Sequence, residues 1–341
     1  MARRVREAVL TCAGAVVGAG FASGREIMRF FSRYGEFSWI GVFLAAASMG
    51  FFAYMLMKRA REAGTDSLSQ LSRAYLGRAA AAGTASFALL LCVTGGGMAA
   101  AAGELGALAL PVHGAYWIAF FATLLLALLL MGRSLSPLAF VSVFLIPVLA
   151  FTFLLCLIPP EGKAVTAEVL FPVWRKIAET ALLGLSYGAL NITLAAGVLC
   201  EAGRGMDGKK AAWTSLFFGL LLFLLLALGN VVLMRQPELT NAALPVVMLL
   251  NKFGKMGFYL AVIGLYLAVF TTLMAAARSI FNIIGHCKPG WLRFALTGGA
   301  FALLGAVGFM RLVGVAYPVL GFLCLLLLIL IISRKSIPQN K

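Results

Sequence analysis

The stretch Gly18-Ala19-Gly20-Phe21-Ala22-Ser23-Gly24 interrupts an apolar run that begins at Ala8. Glycine leaves the backbone unrestrained and is a poor way to continue a helix. A helix broken in hydrocarbon frees N–H and C=O groups, which is tolerated only where protein or a watery cavity meets them. A half-helix ending near Gly18 presents carbonyls, which suit a cation. One starting after Gly24 presents N–H groups, which suit a carboxylate or other anion. Arg25 and Glu26 stand just past the break. Ionisable side chains inside a membrane are functional candidates by default, so both are gate candidates, and Glu26 is the best-placed carboxylate for a proton, although not a deep one. The plainer readings are that the glycines let helices pack closely and that Glu26 pairs with Arg29, three residues on.

A second interruption, Gly184-Leu185-Ser186-Tyr187-Gly188, carries Asn191 one turn further on as a polar contact. Thr94-Gly95-Gly96-Gly97 has no bulky side chain. It reads equally as room for a ligand or as a close helix contact.

These stretches must be positioned by membrane helices. The 341 residues are 62% hydrophobic and only 12% charged, which defines a polytopic membrane protein. At about 20 apolar residues per span, ten spans are predicted: 7–31, broken at Gly18–Gly24; 39–57; 79–103; 116–131; 135–158; 177–199, broken at Gly184–Gly188; 211–233; 256–277; 292–310; and 312–332. The half-apolar stretch 242–250 is too short to span and reads as a surface helix. The two breaks each open a set of five spans. Five is odd, so the sets, residues 1–158 and 177–332, enter from opposite sides as inverted repeats. A pair of interrupted segments in corresponding positions is a pointer to a secondary-transporter site. The larger share of Lys and Arg falls on the side of the N-terminus, among them Lys58, Arg59, Arg61, Arg73, Arg78, Arg204, Lys209 and Lys210. That bias predicts that both termini are cytoplasmic.

Composition also excludes. The formal net charge is +16, but the basic residues punctuate apolar segments and draw no exposed face for nucleic acid. Cys12, Cys92, Cys156, Cys200, Cys287 and Cys324 form no CxxC pair and read as packing residues, and His113 and His286 give no metal-ligand spacing. Arg3, Arg4 and Arg6 before an apolar run mimic a signal peptide. The broken first span explains the same segment better, so it is read as retained. No paired intramembrane carboxylates, HExxH, GxSxG or cysteine–histidine arrangement supports an enzyme.

Val17-Gly18-Ala19-Gly20-Phe21-Ala22-Ser23-Gly24-Arg25-Glu26-Ile27, followed by Phe30-Phe31 and Gly35, resembles the opening of the YkvI-like family of bacterial membrane proteins. That family is similar to the amino acid–polyamine–organocation superfamily, with its LeuT-like fold: an all-α membrane protein of ten transmembrane helices in two inverted five-helix repeats, helices 1 and 6 broken. The family often carries glutamine where this chain has Arg25. The resemblance implies a substrate site at Val17, Gly18, Ala19, Gly20, Ser186, Tyr187 and Gly188. It also implies a Na⁺ site between the first and eighth spans, made of the Gly14, Val17 and Ala268 carbonyls and the Thr271 and Thr272 hydroxyls. The spacing of the last three puts them on one helix face, and five neutral oxygens suit a hard monovalent cation. The opposing reading is that both hydroxyls bond back to their own helix.

The expected function is secondary active transport in the bacterial cytoplasmic membrane: Na⁺-coupled uptake of a small amino-acid-like solute by alternating access, with no cofactor beyond that coupling ion and the lipid bilayer as its surroundings. Two alternatives stand: proton coupling, and a nutrient-sensing subunit similar to those of spore germination receptors, which would need protein partners.

Overall fold

The computed structural model describes residues 2–131, 146–148, 150–155, 157, 173–285 and 289–334. Among them every regular element is helical. The first predicted span is three pieces: α1 (Ala2–Val16), α2 (Ala19–Ala22) and α3 (Arg25–Phe30). Then come α4 (Ser38–Ala63), the short α5 (Leu68–Leu76), α6 (Ala80–Ala109), α7 (Ala115–Leu130) and α8 (Ile146–Leu155). The remaining helices are α9 (Val173–Leu194), α10 (Ala196–Arg204), α11 (Gly208–Met234), α12 (Pro245–Asn251), α13 (Gly254–Ile284), α14 (Gly290–Gly305), α15 (Phe309–Arg311) and α16 (Tyr317–Ser333), with a π turn over Leu312–Ala316.

Among the described residues six stretches are long and apolar enough to cross a membrane by length and composition: Ser32–Ala63, Leu68–Ala109, Val173–Leu194, Gly208–Met234, Gly254–Ile284 and Phe309–Ser333. Segments predicted as the first, fourth and ninth spans appear as shorter or interrupted helices. Most of the fifth, 135–158, and the connector after it lie outside the described residues, as do Cys156, His286 and Cys287. Large apolar side chains such as Phe43, Leu129, Trp291, Leu303 and Val315 stand exposed on the outside, as a lipid-facing surface requires.

The helices pack as two groups. In one, α4 lies against α9, α10 and α11, and α1 lies against α11. In the other, α6 packs against α7, α13 and α14, and α7 also touches α13 and α14. The short α2 rests on α13, and α16 bridges the groups by touching both α9 and α6.

The predicted break at Gly184–Gly188 is not there. α9 runs unbroken through it, and the interruption falls at Ala195. Even there the helical bonds continue, from the Ala195 N–H to Asn191 and from the Leu199 N–H to Ala195, both 3.0 Å. The glycines serve packing instead: a β-carbon at Gly184 would overlap the Gly41 carbonyl of α4, and one at Gly188 would overlap the Ser48 hydroxyl. The glycines of α6 act alike, since a β-carbon at Gly95 would strike the Phe301 ring and one at Gly96 would lie 2.7 Å from the Gly305 nitrogen of α14. Small residues let membrane helices approach to backbone contact. The stretch 242–250 is no surface helix either. α12 buries Val246, Val247, Leu249 and Leu250 against the fold.

Candidate functional site

The break in the first segment has two corners. α1 ends at Val16, and the Gly18 N–H turns back onto the Val16 carbonyl at 2.8 Å instead of reaching Gly14, four residues earlier. Among the described residues no backbone N–H closes on the Val17 carbonyl. The second corner is Gly24, at φ 76°, a left-handed conformation that glycine adopts without strain. Between the corners the Ser23 hydroxyl donates to the Gly20 carbonyl at 2.8 Å and accepts from the Arg25 N–H at 3.2 Å. The first N–H of α3 is thus met from within the chain, and the backbone that borders the cavity is that around Gly14–Phe21.

A cavity of about 760 Å³ opens at this break, between the two helix groups. Gly14, Gly18, Ala19, Gly20 and Glu26 line it from the first segment, Thr94 from α6, Asn191 from α9, Thr271 and Thr272 from α13, and Tyr317 from α16. It continues past Gly197 and Glu201 to Asp66, Arg73, Arg278 and Asn282. That is the face where Arg204 and Asp66 meet at 3.3 Å and where Arg59 of α4 donates to the Ile332 carbonyl near the end of α16.

The opposite face is closed. Arg25 donates to the carbonyls of Thr240 and Ala242, the Val246 N–H donates to the Ser23 carbonyl at 3.0 Å, and Arg29 donates to the Gly314 carbonyl at 2.8 Å. Tyr34 donates to Glu179 at 2.7 Å. Arg25 is thus held by backbone carbonyls, with no acidic partner among the described residues. Arg25→Ala is expected to loosen this plug. Hydrogen bonds to charged groups are worth about 1.5–3 kcal/mol, so amide exchange at Val246 should speed up by about tenfold or more. Unchanged exchange would show that Arg25 does not hold the segment.

Glu26 turns the other way, and its depth corrects the sequence reading. It is 6% exposed and its carboxylate accepts from the Tyr187 hydroxyl at 3.0 Å. It forms no ion pair with Arg29 or with any other described residue. Gly20 makes this possible, because a β-carbon there would overlap Glu26 Oε1. Tyr187 is itself fixed by the rings of Phe30 and Phe31, 4.9 and 5.1 Å away.

The expected site residues therefore separate. Gly18, Ala19, Gly20, Glu26 and Asn191 line the cavity, Tyr187 reaches it through Glu26, and the Asn191 amide donates to the Tyr187 carbonyl at 2.9 Å. Val17 is buried behind the lining. Ser186 lies away from the cavity, its hydroxyl donating to the Leu183 carbonyl and its backbone against Gly321 of α16, and Gly188 faces α4. Of the cation set, Gly14, Thr271 and Thr272 share the cavity wall, and the Thr272 hydroxyl would lie 3.2 Å from a β-carbon at Gly18. Both threonine hydroxyls donate to the Ala268 carbonyl, at 3.0 and 2.8 Å, which leaves their lone pairs to accept or to coordinate. Sequence reasoning missed Tyr317, buried beside Gly97 and Thr94. The Pro318 after it was the available signal of an irregular tenth segment. Among the described residues no three His, Cys, Asp or Glu side chains gather as a metal site.

No family model matches the chain. The uncharacterized membrane protein YkvI of Bacillus subtilis (strain 168) is 24% identical to it over 327 residues, 95% of this chain and 94% of that protein. Structures of two variants of the Eremococcus coleocola manganese transporter superpose with a TM-score of 0.56 at 15% identity, covering 95% of this chain and 85% of theirs. At that identity the likeness is one of fold. The chain is a membrane protein whose described elements are all helical, similar over nearly its whole length to YkvI and folded like a membrane transporter.

Proposed function

We propose that the protein is a secondary transporter that carries a small amino-acid-like solute through the cavity at the broken first segment. The observation that supports this is a cavity that reaches the break from one face, between two groups of packed helices, while the opposite face is held together by Arg25, Arg29 and α12. A closed opposite face is what alternating access requires of a single state. In this reading the first segment, α4, α9–α10 and α11 form the moving group, and α6, α7, α13 and α14 the frame. These are the first, second, sixth and seventh segments against the third, fourth, eighth and ninth, the pattern two inverted five-helix repeats would give. We take the open face, which carries Arg59, Arg73, Arg204, Arg278 and the end of α16, as the cytoplasmic one, in the bacterial inner membrane.

The test is uptake into vesicles containing the purified protein, across a panel of amino acids and amines. Solute accumulation absent from protein-free vesicles is expected. No uptake of any of them by folded protein would refute transport and favour the nutrient-sensing alternative.

We take Na⁺ as the driving ion. What supports this reading is that Gly14, whose carbonyl loses its helical N–H to the turn at Gly18, lines the same cavity as Thr271 and Thr272. Because a ligand that binds only the folded state raises stability by mass action, the purified protein is expected to melt at higher temperature in NaCl than in KCl of equal ionic strength. The difference should vanish in Thr271→Ala/Thr272→Ala. Equal melting in the two salts would remove sodium and leave proton coupling. Manganese, the cargo of the structural neighbours, is not carried over.

A further inference from the structure

Among the described residues Glu26 has no cationic partner. A buried carboxylate costs several kcal/mol unless it is paired or neutralised, and inside a membrane such a group marks what the protein handles. Three features make this one a receptor for a cation. The Tyr187 hydroxyl fixes one oxygen at 3.0 Å, and Gly20 gives the carboxylate its place at the cavity wall. Arg25 and Arg29, the nearest basic residues in the chain, are committed to the carbonyls of Thr240, Ala242 and Gly314.

The surroundings narrow the cation. The Thr94 hydroxyl, 3% exposed, lines the same cavity beside the Tyr317 hydroxyl, to which it can donate while its own lone pairs stay free to accept. An alkylammonium has three donors and no acceptor. It can donate to Glu26 and to Thr94 while its carbon chain extends into the cavity beside Tyr317, whose ring face also favours a cation. A carboxylate placed there would face Glu26 without a compensating donor.

We propose that Glu26 receives the ammonium group of the solute, which therefore binds amine-first at the break in the first segment, with Thr94 as second acceptor. This deepens the transport reading and rests on it for the step after binding, but the binding itself is testable without transport. The probes are L-alanine, ethanolamine and 1,4-diaminobutane, with propionate as the counterpart lacking an amine. Each is titrated into purified full-length protein in detergent at constant ionic strength, and thermal stability is followed. At least one amine is expected to stabilise the wild type where propionate does not. Glu26→Gln should weaken that binding by about tenfold or more, one decade being about 1.4 kcal/mol. Glu26→Asp, which keeps the charge but shortens its reach, should fall between, and this graded series guards against a variant that fails to fold. Thr94→Val should weaken the amine by a smaller factor. Equal binding of the amine to Glu26→Gln and wild type overturns the proposal and leaves the carboxylate to a proton. So does equal binding of propionate, or binding of none of the three amines to folded wild type. Amine binding that depends on Glu26, in a protein that moves nothing into vesicles, would keep this inference and refute transport.

Discussion

Gly20→Ala is expected to abolish high-affinity solute binding while leaving the protein folded. The added methyl falls on the Glu26 carboxylate, which is the far end of a flexible side chain. The chain can yield by swinging Glu26 off Tyr187, so the cost falls on the site more than on the fold. Loss of the Tyr187 hydrogen bond and of the carboxylate's position together should weaken binding by at least about tenfold, with each decade worth about 1.4 kcal/mol. The double variant Gly20→Ala/Glu26→Gln makes the point sharper. If both changes act on one carboxylate, their effects on binding are non-additive, because residues in contact share the same interaction energy. Full additivity would mean that Gly20 acts on something other than Glu26.

Gly184→Val is expected to have the largest effect on assembly. Its β-carbon would overlap the Gly41 carbonyl and press on the Gly41 Cα at 3.0 Å. Here the obstacle is backbone of α4, which cannot rotate away. Overpacking typically costs about 1–3 kcal/mol and more when the backbone must move, so melting should drop steeply or the protein should fail to accumulate in the membrane. Gly197→Ala is the control. Nothing lies within 4 Å of its β-carbon position, and alanine is the better helix former, so its melting temperature should match or slightly exceed the wild type. A Gly184→Val protein that melts with the control would refute the close approach of α9 and α4.

These two glycines show what the sequence could and could not convey. The break at Gly18–Gly24 was legible because its cause is local, the glycines sitting at the very corners that turn the chain. Gly184 and Gly188 give the same local signal, yet what decides their role is Gly41 and Ser48, some 140 residues earlier. A helix that must touch another helix and a helix that must stop both use glycine, and spacing alone does not separate them. The depth of Glu26 was hidden for a similar reason. Position in the chain put it near the end of a span, whereas its side chain is drawn inward by Tyr187 through a space that only Gly20 leaves open. The partners of Arg25 were invisible because they are backbone carbonyls of Thr240 and Ala242, which carry no residue signature. By contrast, the i, i+3, i+4 spacing of Ala268, Thr271 and Thr272 fixes one helix face, and there both hydroxyls bond back to the Ala268 carbonyl, the opposing reading of the same spacing. The packing of the helices into two groups comes from tertiary contacts and was not readable from the spans.

The measurement that bears most directly on one-sided access is sided thiol labelling of Gly197→Cys in vesicles, in a chain whose six cysteines, Cys12, Cys92, Cys156, Cys200, Cys287 and Cys324, are replaced by alanine. Position 197 lines the cavity and has open space for the side chain. A membrane-impermeant thiol reagent is expected to react from the face that carries Asp66 and Arg204. From the other face, closed by Arg25 and α12, labelling should be slower by at least about tenfold, the ratio expected where reaching the open state costs about 1.4 kcal/mol or more. Equal labelling from both faces, or from neither, would contradict a solute cavity with access to one side at a time.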